Sequence, residues 1–255
     1  MPIIAIPQFV LIFFATVIAG IVNALAGGGT LLTFPILLAV GLPAVSANVT
    51  NQAALMPGFF GAAMAQLKDL QGQKKRLLLA LPAAAVGGLI GGILVINTGE
   101  KLFRELIPFL ILGASLLLAV QDTVRAWLMR RSDAGHIQLT DAWVILPVGV
   151  GCIYAGYFGA GASVIILAVT GLVIDDTLTR LNALKQLIGL VSGTTAALFF
   201  VFSGQINWPV ALVMMAGSLI GGVFGGKLAG KVKPVVLRWI VVSIGVVVGI
   251  IYLFK

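Results

Sequence analysis

Charge, acidic residues, histidine and cysteine are all scarce in this chain, and each scarcity removes a class of function. Only 9% of its 255 residues are charged, against about 25% in a soluble domain, so a soluble globular protein is excluded. The one cysteine, Cys152, rules out an internal disulfide and any multi-cysteine metal centre; it lies in an apolar run as a small packed residue. The one histidine, His136, falls in a polar loop, which removes a histidine-based metal site. No P-loop, metal-ligand spacing or nucleophile with its base appears, so no cofactor and no enzyme activity are expected. Gly159-Ala-Gly161 lacks the third glycine and the βαβ context of a dinucleotide fingerprint. No Asp or Glu lies well inside an apolar segment, which leaves no carboxylate relay for protons and no acidic cation site. That balance favours an anion over a cation. The N-terminus has no basic n-region, so no cleavable signal peptide is expected.

What is abundant is apolar sequence: 60% of residues are hydrophobic and the mean hydropathy is +1.14. The runs are long, separated by short polar loops, and do not alternate with period 2 as a barrel would. They read as an all-α polytopic membrane protein whose main partner is the lipid bilayer. The net charge of +8 is assigned to basic cytoplasmic loops, not to nucleic-acid binding.

Ten apolar segments pair into two sets of five: 9–26, 30–41, 47–67, 76–97 and 103–128, then 142–157, 161–174, 181–203, 208–228 and 234–254. A crossing takes about 20 helical residues. Segments three to five of each set qualify; the second of each set is too short and the first is marginal. Lysine and arginine place loops 68–76, 125–141 and 227–238 in the cytoplasm, and the charge-balanced or uncharged loops 98–105 and 203–207 outside. The matching third segments then point in opposite directions. The chain reads as two inverted-topology repeats, 1–132 with a linker to about 141 and 142–255, in the cell inner membrane with both termini outside. Each repeat is a short broken or re-entrant helix pair followed by three spanning helices. Parity favours re-entrant hairpins; the alternative is two thin, tilted crossings.

The hairpin tips are Ala26-Gly-Gly-Gly-Thr30 and Phe158-Gly-Ala-Gly-Ala162. Glycine breaks at matching places in two halves point to a transporter's binding site. Helices beginning at such tips aim unsatisfied N–H donors and about half a positive charge at the midplane, which makes an anion site without basic side chains. Polar residues in apolar context gather beside the tips. The candidate substrate contacts are Asn23, Gly27, Gly28, Gly29, Thr30, Thr50, Asn51 and Gln52 in the first half, and Gly159, Gly161, Asn182, Lys185 and Gln186 in the second. Asn51 and Asn182 are taken as corresponding positions. Lys185 can be the substrate's counter-ion, snorkel to the interface, or pair with Asp175 or Asp176. Arg180 is an interfacial or gate residue, as is the Asp122/Arg125 neighbourhood. Ser192, Thr194 and Thr195 read as packing. Gly87-Gly-Leu-Ile-Gly-Gly92 and Gly221-Gly-Val-Phe-Gly-Gly226 carry small-xxx-small spacings, which serve packing within the chain or a homodimer face.

Asn23-Ala-Leu-Ala-Gly-Gly-Gly-Thr-Leu-Leu-Thr-Phe-Pro35, with Gly41-Leu-Pro and Ala47-Asn-Val-Thr-Asn51, resembles the first repeat of the sulfite exporter TauE/SafE family. Gly156-Tyr-Phe-Gly-Ala-Gly161 and Leu181-Asn-Ala-Leu-Lys185 are similar to its second repeat. The resemblance covers almost the whole chain. It implies a multi-pass permease for small sulfur-containing anions such as sulfite, sulfoacetate, thiosulfate or organosulfonates. The second tip departs from the pattern, reading Gly-Ala-Gly-Ala without a proline at the place of Pro35. Export by alternating access is the first reading. Proton-coupled or channel-like uptake of the same anions, and a non-transporting membrane scaffold, are the alternatives.

Overall fold

The computed structural model describes residues 4–25, 27–133, 141–228 and 234–254. Ala26, the linker stretch 134–140 with His136, and 229–233 with Lys231 and Lys233 lie outside the described residues, as do the side chains of Arg131 and Lys227. Among the described residues the chain is helical with no strand. Its helices are α1 (Ile6–Leu25), α2 (Thr30–Ala39), α3 (Ala44–Ala65), α4 (Lys74–Ala119), α5 (Gln121–Asp133), α6 (Ile145–Tyr157), α7 (Ala162–Val173), α8 (Leu178–Ser203), α9 (Trp208–Leu228) and α10 (Pro234–Leu253).

Five stretches are long and apolar enough to cross a membrane: 6–24, 74–119, 178–203, 208–225 and 235–253. Their outward faces are apolar, with Phe14, Leu78, Phe109 and Phe202 exposed, as lipid contact requires. At 1.5 Å per residue, α2, α6 and α7, with 10, 13 and 12 residues, are too short to span alone.

Three sequence expectations shift. The first segment is not marginal: α1 has 20 residues, about one bilayer core. The fourth and fifth segments form one helical run, broken only at Gly99 (φ 75°, ψ 163°). The fifth segment does not continue to 128. It ends at Ala119, and after Val120 (φ −85°, ψ 0°) the chain starts a separate α5. Gln121, Asp122, Arg125 and Arg130 make that stretch too polar to extend a span. α3 matches a span in length, at 22 residues, but its Ser46, Asn48, Thr50, Asn51 and Gln52 are buried. Those polar groups face protein, not lipid.

The glycine seams pack within the chain. A Cβ at Gly87 would lie 2.4 Å from the Gly149 carbonyl and 2.8 Å from Cys152 Cβ on α6; one at Gly88 would lie 2.3 Å from the Ser192 carbonyl on α8. On the other side, Gly221 meets Val17 and Gly20 on α1, and Gly222 meets Gly58 on α3. Partners therefore exchange between halves: α4 packs on α6 and α8 as α9 packs on α1 and α3. The register is regular as well. α3 starts at 44 and α8 at 178, α4 at 74 and α9 at 208, a spacing of 134 in both pairs.

At the centre, α3 and α8 run antiparallel. The Asn182 amide near the start of α8 donates to Gln66 Oε1 just past the end of α3 (2.9 Å). At the other end, the Ser46 hydroxyl near the start of α3 donates to the Gln205 carbonyl just past the end of α8 (2.8 Å). One end of the molecule carries Lys68, Lys74, Lys75, Arg76, Arg125 and Arg180; it is called the basic end below.

Candidate functional site

The two tips meet. Gly27, Gly28 and Thr30 of the first and Gly159, Ala160, Gly161, Ala162 and Ser163 of the second line one cavity of about 160 Å³. It extends from the tips along the later half of α3 (Gln52 to Gln66) and the early half of α8 (Asn182 to Gly193) toward the basic end.

The tips are built differently. Gly27 and Gly28 have φ of 81° and 93°, a region that strains any residue with a Cβ. A Cβ at Gly28 would also fall 2.4 Å from Leu118 Cδ1. Gly29 has ordinary φ and is needed for space, because a Cβ would lie 2.8 Å from Asn23 Cγ. The closeness has a purpose: the Gly29 N–H donates to Asn23 Oδ1 at 2.7 Å, so α1 caps the amino end of α2. In the second tip Gly161 takes φ 73°, and the Tyr154 hydroxyl pins the turn by donating to the Ala160 carbonyl (2.7 Å). Among the described residues the N–H groups of Ala160, Gly161 and Ser163 donate to nothing. The second tip, the poorer in glycine, thus presents the open donors.

Ten of the thirteen predicted contacts line the cavity: Asn23, Gly27, Gly28, Thr30, Gln52, Gly159, Gly161, Asn182, Lys185 and Gln186. Gly29, Thr50 and Asn51 do not. Thr50 Oγ1 accepts from the Asn207 N–H (2.9 Å), and Asn51 faces the Thr33 hydroxyl (2.5 Å); both lie on the side of the tips away from the basic end. The correspondence of Asn51 with Asn182 is corrected by the helix register. Counted from the helix starts, Asn48 matches Asn182, Asn51 matches Lys185 and Gln52 matches Gln186.

Lys185 is 8% exposed and faces the cavity, so it does not snorkel. Asp176 is not its partner: that carboxylate is held by Arg76 Nη1 (2.5 Å) and Arg180 Nε (3.0 Å). Burial pushes the Asp176 carboxyl up, but the Thr177 N–H and the two guanidinium groups outweigh this and leave it below the usual carboxylate range. Arg180 sits in this cluster at the basic end and does not line the cavity.

Two lining residues escaped the sequence reading, Gln121 and Arg125. They were assigned to the end of a spanning helix and its interface, whereas the break at Val120 turns them toward the cavity. α5 is anchored there by Asp122, whose carboxylate takes both Nη atoms of Arg238 on α10, one at 2.7 Å. Arg238 holds Asp122 below the usual carboxylate range, burial opposing it. The cavity thus collects open N–H donors, side-chain amides and two cations, Lys185 and Arg125. No Asp or Glu among the described residues lines it.

Away from the basic end the cavity is shut. Phe34, Phe103 and Phe158 are fully buried; Phe34 and Phe158 meet edge-to-face at 5.3 Å, and Phe103 and Tyr157 at 5.7 Å. The Asn48 amide donates to the Tyr157 carbonyl (2.8 Å). Beyond the aromatic cluster, Glu100 caps α3, accepting from the Ala44 and Val45 N–H groups at 2.5 and 3.0 Å.

Residues 12–252 match the sulfite exporter TauE/SafE family. The chain belongs to that family. It is similar to a "Probable membrane transporter protein" of Haemophilus influenzae, 28% identical over 218 residues, covering 86% of this chain and 84% of that one. It is also similar to "Probable membrane transporter protein YfcA" of Escherichia coli K12, 24% identical, with 82% and 76% covered. A third relative is "Probable membrane transporter protein ORF9" of a Sinorhizobium species, 26% identical, with 82% and 78% covered. No solved structure matches the chain. This TauE/SafE protein is a multi-pass membrane transporter, and the cavity is where its cargo is sought.

Proposed function

We propose that this protein exports a small sulfur-containing anion, such as sulfite, thiosulfate, sulfoacetate or another organosulfonate, across the inner membrane by alternating access. One observation carries the reading: the cavity gathers Lys185, Arg125 and the unpartnered N–H groups of the second tip, with no carboxylate on its wall. Oxyanions accept hydrogen bonds and carry negative charge, so such a wall replaces the water they lose on entry. The matched register, the exchanged packing partners and the antiparallel α3 and α8 support two inverted repeats, the plan on which alternating access around a fixed midplane site is built. The basic end is cytoplasmic by the lysine and arginine excess, so the cavity opens inward. The membrane potential then favours outward movement of the anion, by about 2.3 kcal/mol per charge per 100 mV.

The test is sulfite binding and flux with purified protein in proteoliposomes. Lys185→Ala removes one charge-assisted contact, about 1.5–3 kcal/mol, which lowers affinity at least tenfold at about 1.4 kcal/mol per factor of ten. Wild-type flux in Lys185→Ala removes the assignment. Absence of saturable flux for sulfite, thiosulfate, sulfoacetate and taurine alike rejects the function.

A further inference from the structure

We propose that Asn48 and Asn51, with Thr33, form a second, outward binding face for the same anion, closed in this structure and weaker than the inner one because it has no cation. The inference rests on the transport reading above. Its first support is register: Asn48 and Asn51 occupy on α3 the places that Asn182 and Lys185 occupy on α8, and both of the latter line the open cavity. Two inverted halves that exchange conformations expose each other's equivalent positions in turn. When the inner cavity closes, the α3 residues are the ones uncovered.

Polar satisfaction supplies the second support. Asn48 and Asn51 are both fully buried, yet Asn48 Oδ1 and Asn51 Nδ2 have no partner. The Thr33 hydroxyl faces both the Asn51 amide and the Gly29 carbonyl (3.2 Å) but has one proton to give. Rotating the Asn51 amide only moves the vacancy to its oxygen, and at least one of its N–H bonds stays without an acceptor. Half-satisfied amides at membrane depth are costly. They are explained if the same groups meet an oxyanion when the face opens. The closure consists of separable contacts: Ser46 to Gln205, Thr50 to Asn207, Asn48 to Tyr157, and the buried Phe34, Phe103 and Phe158.

The chemistry of the two faces differs at one matched position, Asn51 against Lys185. The outer rim adds the Glu100 carboxylate at the start of α3, which disfavours a waiting anion. Capture inside and release outside follow from that difference in charge.

Two measurements test this. In a Cys152→Ser background, Asn48→Cys is exposed to a membrane-impermeant maleimide from the outer side, with no sulfur anion present. Labelling of the folded protein is expected; a site that labels only after denaturation overturns the outer face. Ser46→Cys repeats the measurement if Asn48→Cys does not fold. Separately, half-saturation for sulfite is measured on each side using right-side-out and inverted vesicles. The inner value is expected to be at least tenfold lower in the wild type, and Lys185→Asn should bring the two within about threefold. Equal wild-type values overturn the asymmetry. Because labelling uses no anion, labelling without sulfite flux keeps the outer face and rejects the cargo, whereas flux without labelling does the reverse.

Discussion

Replacing Gly91 with alanine adds one methyl group at the tightest helix crossing in the molecule, and the geometry sets its cost. The new Cβ would lie 2.1 Å from the Ile153 carbonyl oxygen, 2.7 Å from the Tyr157 nitrogen and 2.9 Å from the Gly156 carbonyl carbon. Ordinary contact begins near 3.4 Å, so α6 must retreat by about 1.3 Å (3.4 less 2.1). All three obstacles are backbone, so no rotamer change relieves them. Overpacking costs about 1–3 kcal/mol, and rigid obstacles put Gly91→Ala at the upper end. Against this stands the helix-propensity gain of Ala over Gly, about 1 kcal/mol. The net is a loss of about 2 kcal/mol, or about 4–8 °C at the 2–4 °C per kcal/mol of a chain this size. Gly113→Ala is the control: it lies in the same helical run with nothing within 4 Å and should gain up to about 1 kcal/mol. Thermal unfolding in detergent, followed by the surviving monodisperse fraction, reads both. If Gly91→Ala melts at or above the wild type, the close approach of α4 and α6 is not as described.

Gly161→Ala keeps the chain but strains a left-handed residue (φ 73°) by about 1–2 kcal/mol and shifts the open N–H groups of the second tip. Sulfite affinity by titration calorimetry should fall at least tenfold, while Gly204→Ala, with φ 69° and open space around it, keeps wild-type affinity; equal losses would refute a special role for the tip. The Asp176 carboxyl lies below its usual range in the folded protein, so its stabilisation is complete above the unfolded value of 3.8 and is lost as pH falls through the lower folded value. The melting temperature of Asp176→Asn should therefore sit below wild type at pH 7, with the gap narrowing below about pH 4; a gap independent of pH would mean that the Arg76 and Arg180 pairs contribute nothing.

The helices were legible because lipid imposes a simple code: apolar length, breaks at glycine, and charge at the ends. Gly27, Gly28, Gly159 and Gly161 announced the tips, and the two Gly-Gly-x-x-Gly-Gly seams announced close packing. Charge in the loops cannot reveal where a helix turns without a glycine. Val120 has no turn signal, so Arg125 was assigned to an interface when it lines the cavity. Asn51 was misread for a different reason. Aligning the halves by residue type pairs asparagine with asparagine, whereas counting from the helix starts pairs Asn51 with Lys185 and Asn48 with Asn182. Burial of a polar residue also does not say which end of a cavity it serves. Thr50 and Asn51 share the helix and polarity of Gln52 yet belong to the closed end.

The unequal tips bear on how a guest is moved at all. A guest gripped with equal strength by both halves resists every rearrangement that parts them, because each contact must be broken on the way. Here the first tip satisfies its own Gly29 donor through Asn23, leaving walls and the Gln52 amide. The second half holds Lys185 and the open donors of Ala160, Gly161 and Ser163. On the proposed reading, the anion is held by one half and merely enclosed by the other, so the halves can part without losing its main partners. The extra glycine of the first tip then has a structural meaning opposite to the one its composition suggests. Gly29 lets α1 and α2 close on each other, and the sparser second tip is the one left open to receive charge.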